Sequence, residues 1–153
     1  MKFTVKVEGL SDCEAALREL PKATGKNVLR RVARQALQPF DQRWRQLAPK
    51  DTGALARSGG IGTKLTRRQS RLQRAEDKDG KASIVMFAGP GGDPAAVQQE
   101  FGNYDQAAQP FGRPAWEGTQ GKALEIIQTS LWTEIKAAAD RLARKAARLA
   151  AKG

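Results

Sequence analysis

The sequence predicts an α+β fold in which a small, mainly antiparallel sheet packs against two long helices. Short apolar or alternating stretches, Phe3–Glu8 and Ala82–Ala88, are typical of strands. Two longer stretches repeat apolar residues every three or four positions, the period of an amphipathic helix. At 153 residues we expect one domain. We divide it into a body (1–62 and 82–135), an extended and flexible basic hairpin loop (63–81), and a projecting end of the C-terminal helix (136–153).

Helices are predicted to follow the N-terminal strand. Pro21 stops a short helix, and a longer one begins near Thr24–Lys26 and continues to about Leu47. Pro39 is expected to kink the longer helix, because proline removes one backbone hydrogen bond and clashes one turn back. The apolar face of this helix predicts a buried stripe of Leu29, Val32, Ala36, Phe40, Trp44 and Leu47.

A turn over Ala48–Gly53 ends the long helix. Either Asp51 or Thr52 is expected to cap a short helical turn that finishes at Arg57. Both side chains can accept a hydrogen bond from the backbone two or three residues on, as helix caps do.

The middle of the chain predicts a hairpin. Gly60–Leu65 is expected to be extended and to pair antiparallel with the apolar stretch Ala82–Ala88. Arg67–Lys81, between them, is strongly charged and has almost no apolar residue, so it cannot bury enough surface to order itself. We therefore expect a flexible, basic hairpin tip.

Four of the nine aromatic residues lie between Glu100 and Trp116, together with two prolines and two glycines. Such a segment predicts an ordered connection leading into a long C-terminal helix that reaches about Ala151. Pro114 suits the first turn of that helix, where its missing N–H is not needed. Phe101 and Phe111 are expected to pin the connection to the body.

Composition narrows the functional classes. Lys and Arg number 27 against 16 Asp and Glu, a net charge of +11 that suits an anionic partner. There is no histidine, which removes the usual general base and the commonest metal ligand. Cys13 is the single cysteine and is expected to be a partly buried small apolar residue and not a nucleophile. With neither a signal peptide nor a membrane span recognisable in the sequence, we expect a cytosolic protein without catalytic activity, cofactor or metal.

Several motifs have a functional and a structural interpretation. Gly89–Asp93 superficially resembles a phosphate loop, but it lacks the Gly-Lys-Ser/Thr ending, and a turn is favoured. Glu76, Asp77 and Asp79 lack the spacing of a calcium loop, and a solvated hairpin tip is favoured. Glu100 and Asp105 could form an acid–base pair, although nothing in the sequence brings them together.

The basic residues leave alternatives open. Arg67–Lys81 can track a phosphate backbone or face neighbouring subunits, and it has no aromatic residue for base stacking. Arg113 can contact a neighbouring subunit or cap the long helix within its own chain.

Two ordered segments resemble a known family. Glu100-Phe101-Gly102 and Ala108-Gln109-Pro110-Phe111-Gly112-Arg113-Pro114-Ala115 resemble the pattern EFG…AQPF-x-RPA of tailed-phage head–tail joining proteins, also called tail-completion, neck or head–tail connector proteins. Ala48–Ser58 is similar to the family's AP-x-x-TG-x-L-x-x-S segment, and Val7–Leu10 also fits. The motif positions are Pro49, Thr52, Gly53, Leu55, Glu100, Phe101, Gly102, Gln109, Pro110, Phe111, Arg113 and Pro114. Asn103 and the strongly basic Arg67–Lys81 depart from the family pattern.

The resemblance implies a structural protein of the virion, assembled in the bacterial host cytoplasm. Copies would form a ring, often a hexamer, between the portal side of the head and the tail, with DNA able to pass through the lumen. Its neighbours would be a connector or adaptor and a tail-tube or tail-terminator protein. A prophage, a tailocin or a gene-transfer particle would carry the same signature. The candidate subunit-interface residues are Arg67, Arg68, Arg71, Arg74, Phe101, Tyr104 and Arg113. The alternative is a basic nucleic-acid-binding protein acting outside a particle.

Overall fold

Eight elements make up the part of the chain that the computed structural model describes, residues 10–51, 53–76 and 84–152. In chain order they are α1 (Leu10–Glu19), α2 (Lys22–Leu47), α3 (Ala54–Arg57), β1 (Gly60–Gly62), α4 (Arg67–Glu76), β2 (Phe87–Gly89), α5 (Pro94–Phe101) and α6 (Gly112–Ala150). The predicted strand Phe3–Glu8, the candidate cap Thr52, and Asp77 and Asp79 of the acidic cluster lie outside the described residues.

The fold is largely helical, at 71%, with a small antiparallel sheet, which is consistent with the predicted α+β class. Strands β1 and β2 pair in the predicted orientation, with Ile61 opposite Ala88 at the centre. Each strand is only three residues long, shorter than predicted. Glycine occupies three of the six strand positions, and a residue without a side chain has little to pack against its neighbours.

The long helices α2 and α6 pack along one another and carry the first of two core clusters. Val28 and Val32 of α2 meet Leu131, Ile135 and Ala138 of α6, and α1 covers this group with Cys13, the one cysteine. Cys13 is buried and unpaired, as its interpretation as a small apolar residue requires. Pro39 lies inside α2 without ending it, and the helix remains one element of 26 residues.

The second cluster lies at the other end of α2. It is centred on Trp44, which is completely buried. Around it lie apolar side chains from α3, α5 and α6 and from the residues that flank α2 and α6: Ala48, Leu55, Ala96, Phe111 and Ala115. The rings of Trp44 and Phe111 pack with centroids 6.0 Å apart. The prediction that Trp44 belongs to the core is therefore confirmed.

The predicted flexible loop is wrong over residues 67–76, which form helix α4. Thr66 and Gln69 form a capping box: the Thr66 hydroxyl accepts from the Gln69 backbone N–H, and Gln69 Oε1 accepts from the Thr66 N–H at 3.0 Å. Arg, Gln, Leu and Ala also have high helix propensity. Local hydrogen bonds therefore order this segment even though it has almost no apolar surface to bury.

The termini of the other helices refine the predictions. Gly53, in a left-handed conformation with φ of 68°, takes the N-cap position of α3 that was predicted for Asp51. Helix α6 begins at Gly112, two residues before the predicted start, and Pro114 lies in its first turn as predicted. Beyond Leu142 every described residue of α6 is exposed.

Replacing Phe111 by alanine tests the second cluster. The ring is only 3% exposed, so its removal leaves a cavity, and we expect Phe111→Ala to lower the free energy of unfolding by about 3–5 kcal/mol. Urea unfolding at low protein concentration, where association contributes least, measures it. Phe101→Ala is the matched control: its ring is 67% exposed, and we expect a loss below about 1 kcal/mol. Equal losses for the two variants would contradict the assignment of the core.

Candidate functional site

The two segments that carry the family resemblance meet at one place, the start of α6. Leu55 comes from the first segment and Phe111 and Ala115 from the second, and all three are buried in the Trp44 cluster. Residues 59–99 lie between these segments in the sequence, and the fold brings the segments together around the junction between α5 and α6. We describe this junction as the candidate site because most of the singled-out motif residues lie there.

Glu100, at the end of α5, is the centre of the junction. Its Oε2 atom accepts hydrogen bonds from the backbone N–H groups of Phe111 and Gly112, both at 2.8 Å. Its Oε1 atom accepts from the backbone N–H of Arg113 at 3.1 Å and from Arg113 Nε at 3.1 Å. The residue is only 8% exposed. Glu100 thus caps α6 from a different helix.

This arrangement satisfies the whole N-terminus of α6. The first N–H groups of a helix have no carbonyl partner inside it. Here the Phe111, Gly112 and Arg113 groups donate to Glu100, and Pro114 has no N–H to satisfy. The N–H of Ala115 then makes the first bond of the helix, to the Phe111 carbonyl at 3.2 Å. The negative carboxylate also complements the positive end of the helix dipole.

Burial and hydrogen bonding act in opposite directions on the pKa of Glu100. Burial raises the pKa, because it disfavours the charged form. The hydrogen bonds from Gly112, Phe111 and Arg113 favour the carboxylate, and together they bring its pKa below the ordinary value. A carboxylate whose oxygens are both occupied in this way is a poor general base. Asp105 is exposed in the following loop, so the geometry does not favour the acid–base interpretation of these two residues.

Arg113 turns back onto its own chain. Besides the contact with the carboxylate, its Nη2 atom lies 3.5 Å from the Glu100 carbonyl, and its guanidinium lies 5.5 Å from the centre of the Phe101 ring. Of the two interpretations left open by the sequence, the described contacts are those of the intrachain cap. The Arg113 side chain is still more than half exposed, so its outer surface can contact a neighbour.

The prediction that Phe101 pins the connection to the body is wrong. Ala96 and Glu100, four residues apart on α5, face the interior, and Phe101 follows one position later and points outward. Its ring is exposed together with that of Val97, one turn earlier, and both line a shallow groove of about 330 Å³. Tyr104, in the next loop, is fully exposed.

The loop between α5 and α6 is held by its backbone. Gly102 adopts φ of 76° and ψ of 174°, a conformation essentially restricted to glycine. A Cβ atom there would lie 2.8 Å from the Ala108 nitrogen. The Asn103 N–H donates to the Gln106 carbonyl and the Gln109 N–H donates to the Gln99 carbonyl, at 2.9 and 2.7 Å. The positive φ and the close approach of Ala108 give the glycine of the motif a structural role, whereas Gln109 contributes its backbone N–H to these contacts.

Sequence reasoning missed a second polar contact, made by Arg45 near the end of α2. Its Nη1 atom donates to the Ala56 carbonyl at 2.6 Å, and its guanidinium stacks on Trp44. Asp41 holds both side chains: it accepts from Arg45 Nε at 2.9 Å and from Trp44 Nε1 at 3.0 Å. The three-residue and four-residue spacings of these side chains from Asp41 were visible in the sequence. The approach to Ala56, eleven residues away, was not.

The four candidate arginines of α4, Arg67, Arg68, Arg71 and Arg74, are exposed and make no ion pair with any described residue. Helix α4 is attached beside the junction, because Gln69 Nε2 donates to the Gly91 carbonyl at 2.7 Å. Gln69 also lines the groove that Val97 and Phe101 share. The fold therefore places the α4 and α5 interface candidates near one another.

The remaining sequence motifs take the structural interpretation. Gly89 ends β2, and Asp93 caps α5 by accepting from the Ala95 N–H at 2.9 Å, so a carboxylate occupies the position where a phosphate loop would bind its anion. Among the described residues, no three acidic or cysteine side chains are grouped to hold a metal ion. Within the same residues, no helix has the length and apolarity needed to cross a bilayer.

Comparisons with protein-family models, curated proteins and solved structures give no match to this chain.

Substituting Glu100 by glutamine tests the cap. We expect Glu100→Gln to lower the free energy of unfolding by about 1–3 kcal/mol at neutral pH, since buried N–H groups lose a charged acceptor. Because folding lowers the pKa of Glu100, its stabilising contribution is present above the unfolded pKa, near 4.5, and is lost as pH falls through the folded pKa. The two proteins should therefore converge in acid. Glu117→Gln, an exposed change on the same helix, is the control. A constant difference from pH 7 to pH 2 would contradict the cap.

A pair of glycine substitutions tests the loop. Gly102→Ala should destabilise the protein by about 1–3 kcal/mol, because the backbone conformation there is strained for any side chain. Gly118→Ala, inside α6 with open space around it, should instead stabilise by about 0.5–1 kcal/mol through helix propensity. Thermal unfolding of both variants measures the difference, and the same sign for both would show that Gly102 has no special role.

Proposed function

We propose that this chain is a structural subunit of a tailed-phage or phage-derived particle, in which copies form a ring that joins head to tail. The proposal starts from the two ordered sequence segments that resemble the head–tail joining family. It gains support from the places that their residues take in the fold. The contacts of four motif residues build one junction: Leu55, Glu100, Gly102 and Phe111. Such use of motif residues is expected of a structural protein.

The observation that carries the proposal is apolar surface left exposed at this junction. Val97, Phe101 and Tyr104 lie within eight residues, and all three are open to solvent. Contiguous exposed apolar side chains favour a protein–protein contact. Aromatic rings are also the side chains that most often dominate the binding energy of an interface. Phe101 and Tyr104 were candidates for a subunit contact on sequence grounds.

A ring requires an interface between two different surfaces of the same subunit, because each copy is rotated relative to the next. The outer face of α5, with Arg113 and the nearby arginines of α4, is one such surface. A net charge of +11 makes contact between identical basic surfaces unfavourable, which favours a head-to-tail arrangement over a two-fold one. It also favours acidic surfaces on the neighbouring connector or tail protein, and it would allow DNA in the lumen.

A basic nucleic-acid-binding protein acting outside a particle is the second candidate. Exposed cationic residues on α4 and on the end of α6 favour it. The two candidates differ in assembly, since only the joint requires a closed ring and a surface reserved for other copies.

Native mass measurement on the purified chain tests the proposal. We expect a closed multimer whose mass is an integer multiple of 16.6 kDa, with ring-shaped particles in micrographs. The double variant Phe101→Ser with Tyr104→Ser should shift the population to single subunits without loss of helix content. Trp132→Ser is the matched control, because that ring is 52% exposed on α6 but lies outside both motif segments.

Three results would overturn the proposal. A wild-type chain that remains monomeric, alone and with purified connector and tail proteins, would remove the joint. Assembly that persists in the Phe101 and Tyr104 variant would remove the proposed surface. Equal losses in the Trp132 control would show that any exposed ring has the same effect.

A further inference from the structure

The last turns of α6 carry a basic stripe, defined as Arg141, Arg144, Lys145, Arg148 and Lys152. With about 100° of rotation per residue, these five positions fall within about 100° of one another around the helix axis. Lys152 continues the stripe in the turn that ends the helix. All five residues are exposed, and none is in an ion pair with a described residue.

Helix stability does not explain the stripe. Cations favour the negative end of a helix, but the effect is confined to the last turn, and Arg141 lies more than two turns before Ala150. Like charges spaced by three or four residues repel one another, as Arg141 and Lys145 do. The stripe contains no acidic residue that would offset this repulsion. An anionic partner would offset this repulsion.

We infer that the basic stripe binds the phosphates of duplex DNA. From Arg141 to Lys152 the helix rises about 16 Å, the axial length of about five base pairs. Five cations in one line over that length match a regularly spaced row of phosphates. No acidic or aromatic residue lies between Arg141 and Lys152, so recognition would be electrostatic and independent of base sequence.

Other anionic partners fit this segment less well. Single strands are usually held by aromatic side chains that stack on bases, and this segment has none. Helices that lie on anionic membranes bury large apolar side chains, whereas the opposite face here is mostly alanine, with Leu142 and Leu149 at its edge. Duplex DNA needs only the charges that are present.

The inference deepens the proposed function by naming the element that would face DNA in the lumen. It rests on the proposed function, because the ring is what would bring DNA close to this helix. Binding itself can be measured whatever the assembly state. The probe is a fluorescent duplex of about 20 base pairs, titrated over a range of salt concentrations. A single strand of the same length and phosphatidylserine vesicles are the comparison probes.

The test variant combines Arg141→Gln, Lys145→Gln, Arg148→Gln and Lys152→Gln. The matched control combines Lys22→Gln, Arg30→Gln, Arg43→Gln and Lys122→Gln, which removes the same numbers of Arg and Lys from exposed positions on α2 and α6. Each phosphate contact contributes about 0.9 to the slope of log affinity against log salt. We expect the magnitude of this slope to fall by about 3–4 in the test variant, and its affinity near 0.1 M salt to fall at least about tenfold. In the control variant the magnitude of the slope should fall by less than about 1.

Equal losses in the two variants would overturn the inference, because they would show that only total charge matters. Tighter binding of the single strand, or of vesicles in place of the duplex, would also overturn it. Circular dichroism checks that α6 is retained in the variants. If it is not, the comparison is repeated with two double variants, Arg141→Gln with Lys145→Gln and Lys22→Gln with Arg30→Gln. Native mass on the same samples separates the two proposals. A ring that does not bind duplex DNA would contradict only the inference about the basic stripe. A single subunit that binds duplex DNA would contradict only the proposed ring.

Discussion

A single carboxylate bonded to three backbone N–H groups is the constraint on which the rest of this structure depends. Glu100, at the end of α5, accepts hydrogen bonds from the backbone N–H groups at the start of the 39-residue helix α6. Burying a charge is costly unless it is fully hydrogen-bonded, and here the donors, the helix dipole and Arg113 compensate for the lost water. Because the bonds join the end of α5 to the start of α6, they also place Phe111 against Trp44. The cap and the second core cluster are therefore two parts of one corner.

That corner separates two kinds of residue. Those facing inward hold the subunit together, and their side chains make their contacts within it. Those facing outward, Phe101, Tyr104 and the arginines of α4, have large or charged side chains with few contacts to their own chain. Such a division is what an assembling protein requires, because its interior must be stable before its surface can recognise a neighbour. It is the physical basis on which we propose that the motif frames a joint.

Helix α6 connects the two functional surfaces that we propose. Its first turn belongs to the capped corner, its middle packs on α2, and its last turns are exposed and strongly basic. A continuous helix is stiff over this length, so a subunit fixed at the corner also has its basic end fixed in direction. In a ring, the same element would determine both where the next copy sits and where the cations point.

The sequence by itself determined the elements that depend on neighbours along the chain. Periodicity and proline placement predicted α1, α2 and α6 and the burial of Trp44. The apolar stretches predicted the antiparallel pairing of β1 with β2. The capping box of Thr66 and Gln69 is also a local signal, but the prediction was based on the charge and low apolar content of the segment, and α4 was predicted as a loop. Only the tertiary structure decided that Glu100 caps α6, that Arg45 reaches the Ala56 carbonyl, and that Phe101 faces solvent. These contacts join residues eleven or more positions apart, or depend on which side of a short helix meets the core. Helical period and local capping record interactions within about four residues, whereas contacts across a loop exist only after the core has brought the two ends together.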